Sequence, residues 1–261
     1  MNDDKALIVF SGGQDSTTCL YWAKSKWADI KTVTFDYGQK HKIELEAAKR
    51  ICELAGTEFD LVTIPDILRS TSPLVDKNQA LDKYDSIDQF ADGVQPTFVP
   101  GRNILFLIIA ANIAVHHGAK HIVIGVCEAD FAGYYDCRQD FIDATQKSLN
   151  QGLFGTDDGL VIHTPLMDLT KAETVKLAAE LGQDCLSALA HSHTCYDGVY
   201  PPCGFCHACL LRERGFREAG VEDPLLQNLS RLSMSKTDES RLSMSKTDES
   251  RRSVTKTDVR I

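Results

Sequence analysis

The chain has 261 residues, 43 % of them apolar, with 28 basic and 37 acidic side chains and a formal net charge of −9. That length suits one large domain with a small appendage, and the apolar share is enough for a buried core. The acidic balance, with no basic stripe in the body of the chain, argues against direct nucleic-acid binding and favours small-molecule substrates.

The opening MNDDKALIVFSGG has neither the basic region nor the long apolar core of a signal peptide. No segment approaches the ~18 apolar residues of a membrane span. A cytoplasmic protein without membrane contact is therefore expected, with its thiols reduced. Nine cysteines are an odd number, which speaks against a disulfide framework. Cys19, Cys52, Cys127, Cys137 and Cys185 stand singly in apolar segments and read as small core residues.

In chain order, ALIVF at 6–10 reads as a short buried strand, and 16–28 as a helix by apolar spacing. KTVTFDYGQ at 31–39 predicts a second strand, and 43–56 a second helix ended by Gly56. DLVTIPD at 60–66 predicts a third strand. Residues 66–100 lack periodicity and read as a long loop, a flap over a site. The largely apolar 103–119 predicts a helix stopped by Gly118, and 121–130 a fourth strand. Strands alternating with helices imply an α/β fold: a Rossmann-like parallel sheet with helices on both faces. Ligands of such sheets sit beyond the carboxyl ends of the strands, here near 11–17, 36–41 and 128–138. RLSMSKTDES at 231–240 recurs at 241–250 and then degenerates; a period of ten with so few apolar side chains predicts a disordered extension. The expected units are a nucleotide-binding domain over 1–185, a helical metal-binding segment over 186–229, and the repetitive tail over 230–261.

Between the first strand and first helix lies SGGQDST, 11–17. A glycine pair lets backbone amides turn inward, and a helix N-terminus adds partial positive charge, so the loop suits an anion. Ser16 and Thr17 can donate to phosphate oxygens. The Walker A lysine is missing and no third glycine follows, so neither the P-loop nor the dinucleotide fingerprint applies. The plain alternative is a helix-capping turn with Asp15 and Ser16 in its first turn.

SGGQDS after a first strand resembles the PP-loop of the ATP pyrophosphatase (adenine nucleotide alpha hydrolase) superfamily. FDYGQKH (35–41), FVPGRN (98–103), GVCEADFAGYYDCR (125–138) and CGFCHAC (203–209) extend the resemblance over most of residues 6–215. That combination is similar to the 7-cyano-7-deazaguanine synthase family of queuosine biosynthesis. One departure is Tyr135, where the family usually has proline in G-Y-P-D-C.

The resemblance implies an ATP-dependent carbon–nitrogen ligase that joins 7-carboxy-7-deazaguanine and ammonia into a nitrile through an adenylated carboxylate and an amide. It implies ATP binding by Phe10, Ser11, Gly12, Gly13, Gln14, Asp15, Ser16, Thr17, Thr18, Cys19 and Leu20, with Phe35 and Asp36 near the adenine. Arg102 is a candidate phosphate or ribose contact, and Asp15, Ser16 and Arg102 are the candidate catalytic groups. Asp15 would orient the loop or help to hold Mg²⁺. A carboxylate can accept two hydrogen bonds from the guanidine-like edge of a deazaguanine, which nominates Asp130 and Asp136; Arg138 suits the substrate carboxylate. His41 follows a strand tip and could move a proton or contact ATP, although a lone histidine there is more often structural. A homodimer is implied by resemblance only. Two rival readings stay open: a tRNA-thiolating PP-loop enzyme, and a non-catalytic nucleotide sensor.

Cys195, Cys203, Cys206 and Cys209 form C-x7-C-x2-C-x2-C. Cys203 to His207 alone match the C-x-x-C-H haem signature, but haem attachment needs export, and a dithiol pair would leave two cysteines unexplained. Four thiolates can close a tetrahedral shell around one structural Zn²⁺, with His207 outside it. An iron–sulfur cluster is the alternative occupant.

Overall fold

A computed structural model describes residues 1–64, 67–90, 93–128 and 133–230. The repeats after residue 230 and Asp130 lie outside the described residues. Strand β1 spans Asn2–Val9, followed by α1 (Gln14–Lys24), β2 (Asp29–Asp36), α2 (Ile43–Ala55) and β3 (Glu58–Thr63). Then come α3 (Arg102–His117), β4 (Ala119–Ile124), α4 (Gln139–Phe154), β5 (Val161–His163), α5 (Lys171–Glu180), α6 (Gln183–Leu189) and α7 (His207–Ala219). The five strands form one sheet in the order β3-β2-β1-β4-β5, and every pairing is parallel.

Side-chain alternation divides β1 between two cores. Ala6, Ile8 and Phe10 enter a cluster with Cys19 and Leu20 of α1, Ile51 of α2, Val175 of α5, Leu189 of α6 and Phe216 of α7. Leu7 faces the other way, into a cluster with Val33, Leu107 of α3, Ile142 of α4 and Ile162 of β5. Helices therefore cover both faces, as the alternating strands and helices predict. Ile8 and Leu20 are wholly buried, and each such side chain contributes about 1.5–3 kcal/mol by leaving water.

Several boundaries differ from the sequence reading. The fourth strand stops at Ile124 rather than 130, because Gly125 brings the chain against the backbone of Asp15 and Ser16. The second strand stops at Asp36, where the Gln39 side chain accepts from the Tyr37 amide at 2.9 Å and turns the chain. The described part of 66–100 is irregular apart from one 3-10 turn at Ile87–Gln89. It is docked through Tyr84 N–H to the Phe205 carbonyl (2.8 Å) and the Thr97–Tyr134 hydroxyl pair (2.6 Å). The segment beyond 186 is helical and packs onto the sheet domain, since α7 runs along α5 and brings Phe216 into the first core. Cys19, Cys52 and Cys185 are core residues as expected; Cys127 and Cys137 are partly buried, packing against the two cores while also lining a cavity.

Candidate functional site

The sheet order reverses direction between β1 and β4, which makes the crevice beyond their carboxyl ends the favoured ligand position in an open parallel sheet. A cavity of about 300 Å³ lies there, walled by Phe10, Thr34, Phe35 and Ile124 from the strand ends. One rim is the loop of residues 11–16. Gly13 caps α1 in an extended conformation with no side-chain hydrogen bond to the helix start. The start of α1 thus has no side-chain cap, as is usual for a glycine in that position.

The loop is held by its own hydroxyls. Ser11 and Ser16 Oγ lie 3.1 Å apart, Ser16 Oγ donates to the Gly13 carbonyl at 3.2 Å, and Thr17 Oγ1 donates to the same carbonyl at 2.7 Å. Gly12 sits at φ +77°, and a Cβ there would come within 2.6 Å of the Ala48 nitrogen. Only glycine lets the loop lie this close to α2 in that conformation. Gly125 plays the matching part on the β4 side, where a Cβ would stand 3.2 Å from the Asp15 carbonyl carbon and the Ser16 nitrogen.

Charge in the cavity is arranged around two residues. Asp15 Oδ2 pairs with Lys171 Nζ at 2.6 Å, across 156 positions of sequence. Its Oδ1 is buried without a hydrogen-bond partner. Lys171 opens α5, whose start is fixed by a capping box between Thr170 and Glu173. Arg102 opens α3 and also lines the cavity. Burial works against its charge, but the surrounding hydroxyls of Tyr37, Tyr134 and Tyr196 hold its pKa above the ordinary value. Phe35 stacks on Phe106 with centroids 4.3 Å apart, giving the cavity an aromatic wall.

The far wall comes from the C-terminal segment. His193, Thr194, Tyr196, His207 and Leu211 line the cavity, and His193 N–H donates to the Gly12 carbonyl at 2.9 Å, closing this wall onto the loop. Arg212 anchors it from behind by donating to Asp223 (2.7 and 2.8 Å), Ser192 (2.7 Å) and the Leu189 carbonyl (3.2 Å). Beside it, the Sγ atoms of Cys195, Cys203, Cys206 and Cys209 lie within 4.8 Å of one another, with Cys203 and Cys209 3.9 Å apart. Four thiolates around one ion at ~2.3 Å stand roughly 3.8 Å apart, so the set could hold a single metal ion. The thiols act on one another: hydrogen bonds from Cys206 and Cys209 hold the Cys195 thiol below its usual pKa, while those same bonds push Cys206 and Cys209 up.

The model of the queuosine biosynthesis protein QueC matches residues 5–220. The chain belongs to the QueC family. A 7-cyano-7-deazaguanine synthase of Gloeobacter violaceus is 55 % identical over 223 residues, covering 85 % of this chain and 95 % of that protein. One of Chromobacterium violaceum is 47 % identical over 229 residues, covering 87 % and 94 %. One of Staphylococcus haemolyticus is 46 % identical over 220 residues, covering 83 % and 94 %.

In this QueC-family chain, Phe10, Ser11, Gly13, Gln14, Asp15, Ser16, Phe35 and Arg102 from the sequence reading converge on the main cavity. Thr18, Cys19 and Leu20 are buried along α1, with Cys19 and Leu20 in the core and Thr18 Oγ1 donating to the Gln14 carbonyl at 3.1 Å. Asp36 stands outside the lining and pairs with Lys42 at 2.7 Å. Asp136 is buried and accepts from the Asn103 amide at 3.4 Å; burial raises its pKa while Arg102 opposes the shift. Arg138 lies over the Tyr135 ring at 5.2 Å, and Tyr135, in place of the family's usual proline, is 60 % exposed. His41 lines a smaller side pocket. His207 stands outside the cysteine set, against Phe90. Sequence reasoning missed Lys171, Glu44, Tyr37, Tyr134, Tyr196 and His193. Tyr37 and Tyr134 stand inside FDYGQKH and GVCEADFAGYYDCR, where sequence reasoning gives them no role of their own, and the capping box around Lys171, T-K-A-E, marks a helix start rather than a ligand.

Proposed function

We propose that this chain converts 7-carboxy-7-deazaguanine and ammonia into 7-cyano-7-deazaguanine, using ATP twice. A carboxylate is a poor electrophile because its charge is delocalised and its oxygen leaves badly. Transfer of AMP to that oxygen, with loss of pyrophosphate, gives a good leaving group that ammonia displaces to form the amide. A second transfer to the amide oxygen allows its elimination as AMP and leaves the nitrile. The protein's part is to position the reactants and to neutralise growing charge.

The observation that carries this reading is the convergence of the residue 11–16 loop, Arg102 and the Asp15–Lys171 pair on one cavity. Residues 11–17 are assigned to the pyrophosphate, with Ser16 and Thr17 turning their hydroxyls from Gly13 to phosphate oxygens. Phe35 is assigned to the adenine and Arg102 to the α-phosphate. Asp15 is assigned to the Mg²⁺ that accompanies ATP, since its buried Oδ1 lacks a partner; the ion would offset pyrophosphate charge. Asp130, Asp136 and Arg138 are assigned to the deazaguanine end. The cysteine set is assigned to one structural Zn²⁺. Its sulfurs are closer together than an iron–sulfur cubane, with its own iron and sulfide atoms between them, would hold them. Nine free thiols suit the reducing cytoplasm.

The test is to incubate folded, metal-loaded protein with ATP, Mg²⁺, ammonium and 7-carboxy-7-deazaguanine and to follow the base by mass. Appearance of the nitrile supports the reading. Bound tRNA with no nitrile would favour the thiolating alternative, and ATP binding without turnover the sensor.

A further inference from the structure

A second, smaller pocket of about 70 Å³ adjoins the main cavity. Tyr37, Glu44, Arg102, His193 and Tyr196 line both, so one layer of side chains separates or joins them. Its volume has room for about two water molecules, far too little for a nucleotide or a purine-like base. On the reading above, only one reactant is that small. We propose that this side pocket is the ammonia site, and that Glu44 takes the proton that an ammonium ion must lose before its nitrogen can attack.

Ammonium predominates near neutral pH and has no lone pair. The nitrogen must therefore lose a proton before it attacks, and Glu44 is the carboxylate shared by the two spaces. The side chain is held in place: Gln39 Nε2 donates to Glu44 Oε1 at 3.0 Å. Gln39 is itself fixed by accepting from Tyr37 N–H at 2.9 Å and donating to the Phe35 carbonyl at 3.3 Å. Glu44 keeps some accessible surface because it faces the cavities, yet protein atoms enclose it. Burial raises its pKa to about 7, with Arg102 and Gln39 opposing the shift and Asp36 adding to it. The other titratable or charged groups around the side pocket are Tyr37, His41, Arg102, His193, Tyr196 and Cys195 of the cysteine set. A group that is protonated and deprotonated in similar amounts near neutrality suits proton transfer.

The step balances as follows. Ammonium gives one proton to the Glu44 carboxylate. The freed lone pair forms the C–N bond at the adenylated carboxyl carbon while the C–O bond to AMP breaks, and AMP leaves with that electron pair. The new nitrogen then sheds a further proton to solvent, giving the amide, and Glu44 returns its proton to solvent.

The inference rests on the adenylating reading, and the test separates the two. Carboxylate-dependent exchange of pyrophosphate into ATP, measured without ammonium, reports adenylation alone. Glu44→Gln is expected to retain that exchange and to lose about 100-fold in kcat/KM for ammonium, within the range for a general base. Hydroxylamine, neutral at neutral pH, needs no such base, so the variant should form the hydroxamate at close to the wild-type rate. Leu74→Phe, at the pocket wall, is expected to raise the KM for ammonium without changing exchange. Unchanged ammonium dependence in Glu44→Gln, or an equal loss with hydroxylamine, would overturn the inference while leaving adenylation standing. No exchange in the wild type would overturn the adenylating reading, and this inference with it.

Discussion

Replacing Lys171 with methionine tests the charge arrangement of the main cavity. The side chain stays unbranched and only one atom shorter, and it keeps its Cβ, which stands 2.8 Å from where a Cβ on Gly215 would lie, so the α5–α7 packing is retained. What disappears is the 2.6 Å ion pair to Asp15, whose partners are 14 % and 30 % exposed. Breaking a fully buried pair costs about 3–5 kcal/mol, and an exposed pair contributes about 0–1 kcal/mol. This intermediate pair, with the other Asp15 oxygen already unpartnered, should cost about 1–3 kcal/mol. Asp15→Asn in the same background removes the stranded charge and should recover most of that loss. A double-mutant cycle from urea unfolding midpoints should give a coupling of about 1–2 kcal/mol. Coupling below about 0.3 kcal/mol, the ordinary error for independent sites, would refute the pairing and with it the shared role of the two residues.

Glu44→Gln should also change how stability depends on pH. The wild-type carboxyl titrates near 7 in the folded chain against an ordinary 4.5, so the folded state binds more protons between those values. Its contribution is present below pH 4.5 and lost as pH rises through 7. The variant should match the wild type near pH 4 and be more stable by about 1–3 kcal/mol near pH 8, read from denaturation at both; a pH-independent difference would contradict the shift. Cys206→Ser, at a fully buried position of the cysteine set, should abolish bound metal by elemental analysis and expose residues 195–209 to limited proteolysis, because metal binding supplies folding energy there. Full metal content in the variant would remove Cys206 from the ligand set. Gly125→Ala would press a methyl against the Asp15–Ser16 backbone, so the KM for ATP should rise about tenfold, equivalent to about 1.4 kcal/mol, with little change in folding; an unchanged KM would mean that this approach does not shape the nucleotide site.

Local features of the fold were legible because the sequence states them locally. ALIVF followed by SGG announced a strand and the turn into α1, and the alternation of strands and helices announced a covered parallel sheet, which the two cores on either side of β1 bear out. The cysteine spacing predicted a set that the chain does gather. The ends of strands were harder to read, because what stops β4 is the nearness of the Asp15 backbone and not any apolar pattern. The cavity's second half was hidden for the same reason. Lys171 reaches Asp15 only after the sheet is assembled, and the tyrosines around Arg102 come from three separate segments. Glu44 looked like one more acid on an amphipathic helix until Gln39 and Arg102 were seen around it.

The central claim is that both carboxylate oxygens of the base depart on AMP. Protein supplied with ATP, ammonium and 7-carboxy-7-deazaguanine labelled with heavy oxygen in the carboxylate should release two molecules of AMP for each nitrile formed, each carrying one heavy oxygen. Nitrile formed with unlabelled AMP, or labelled base left unchanged by folded and metal-loaded protein, would contradict the account.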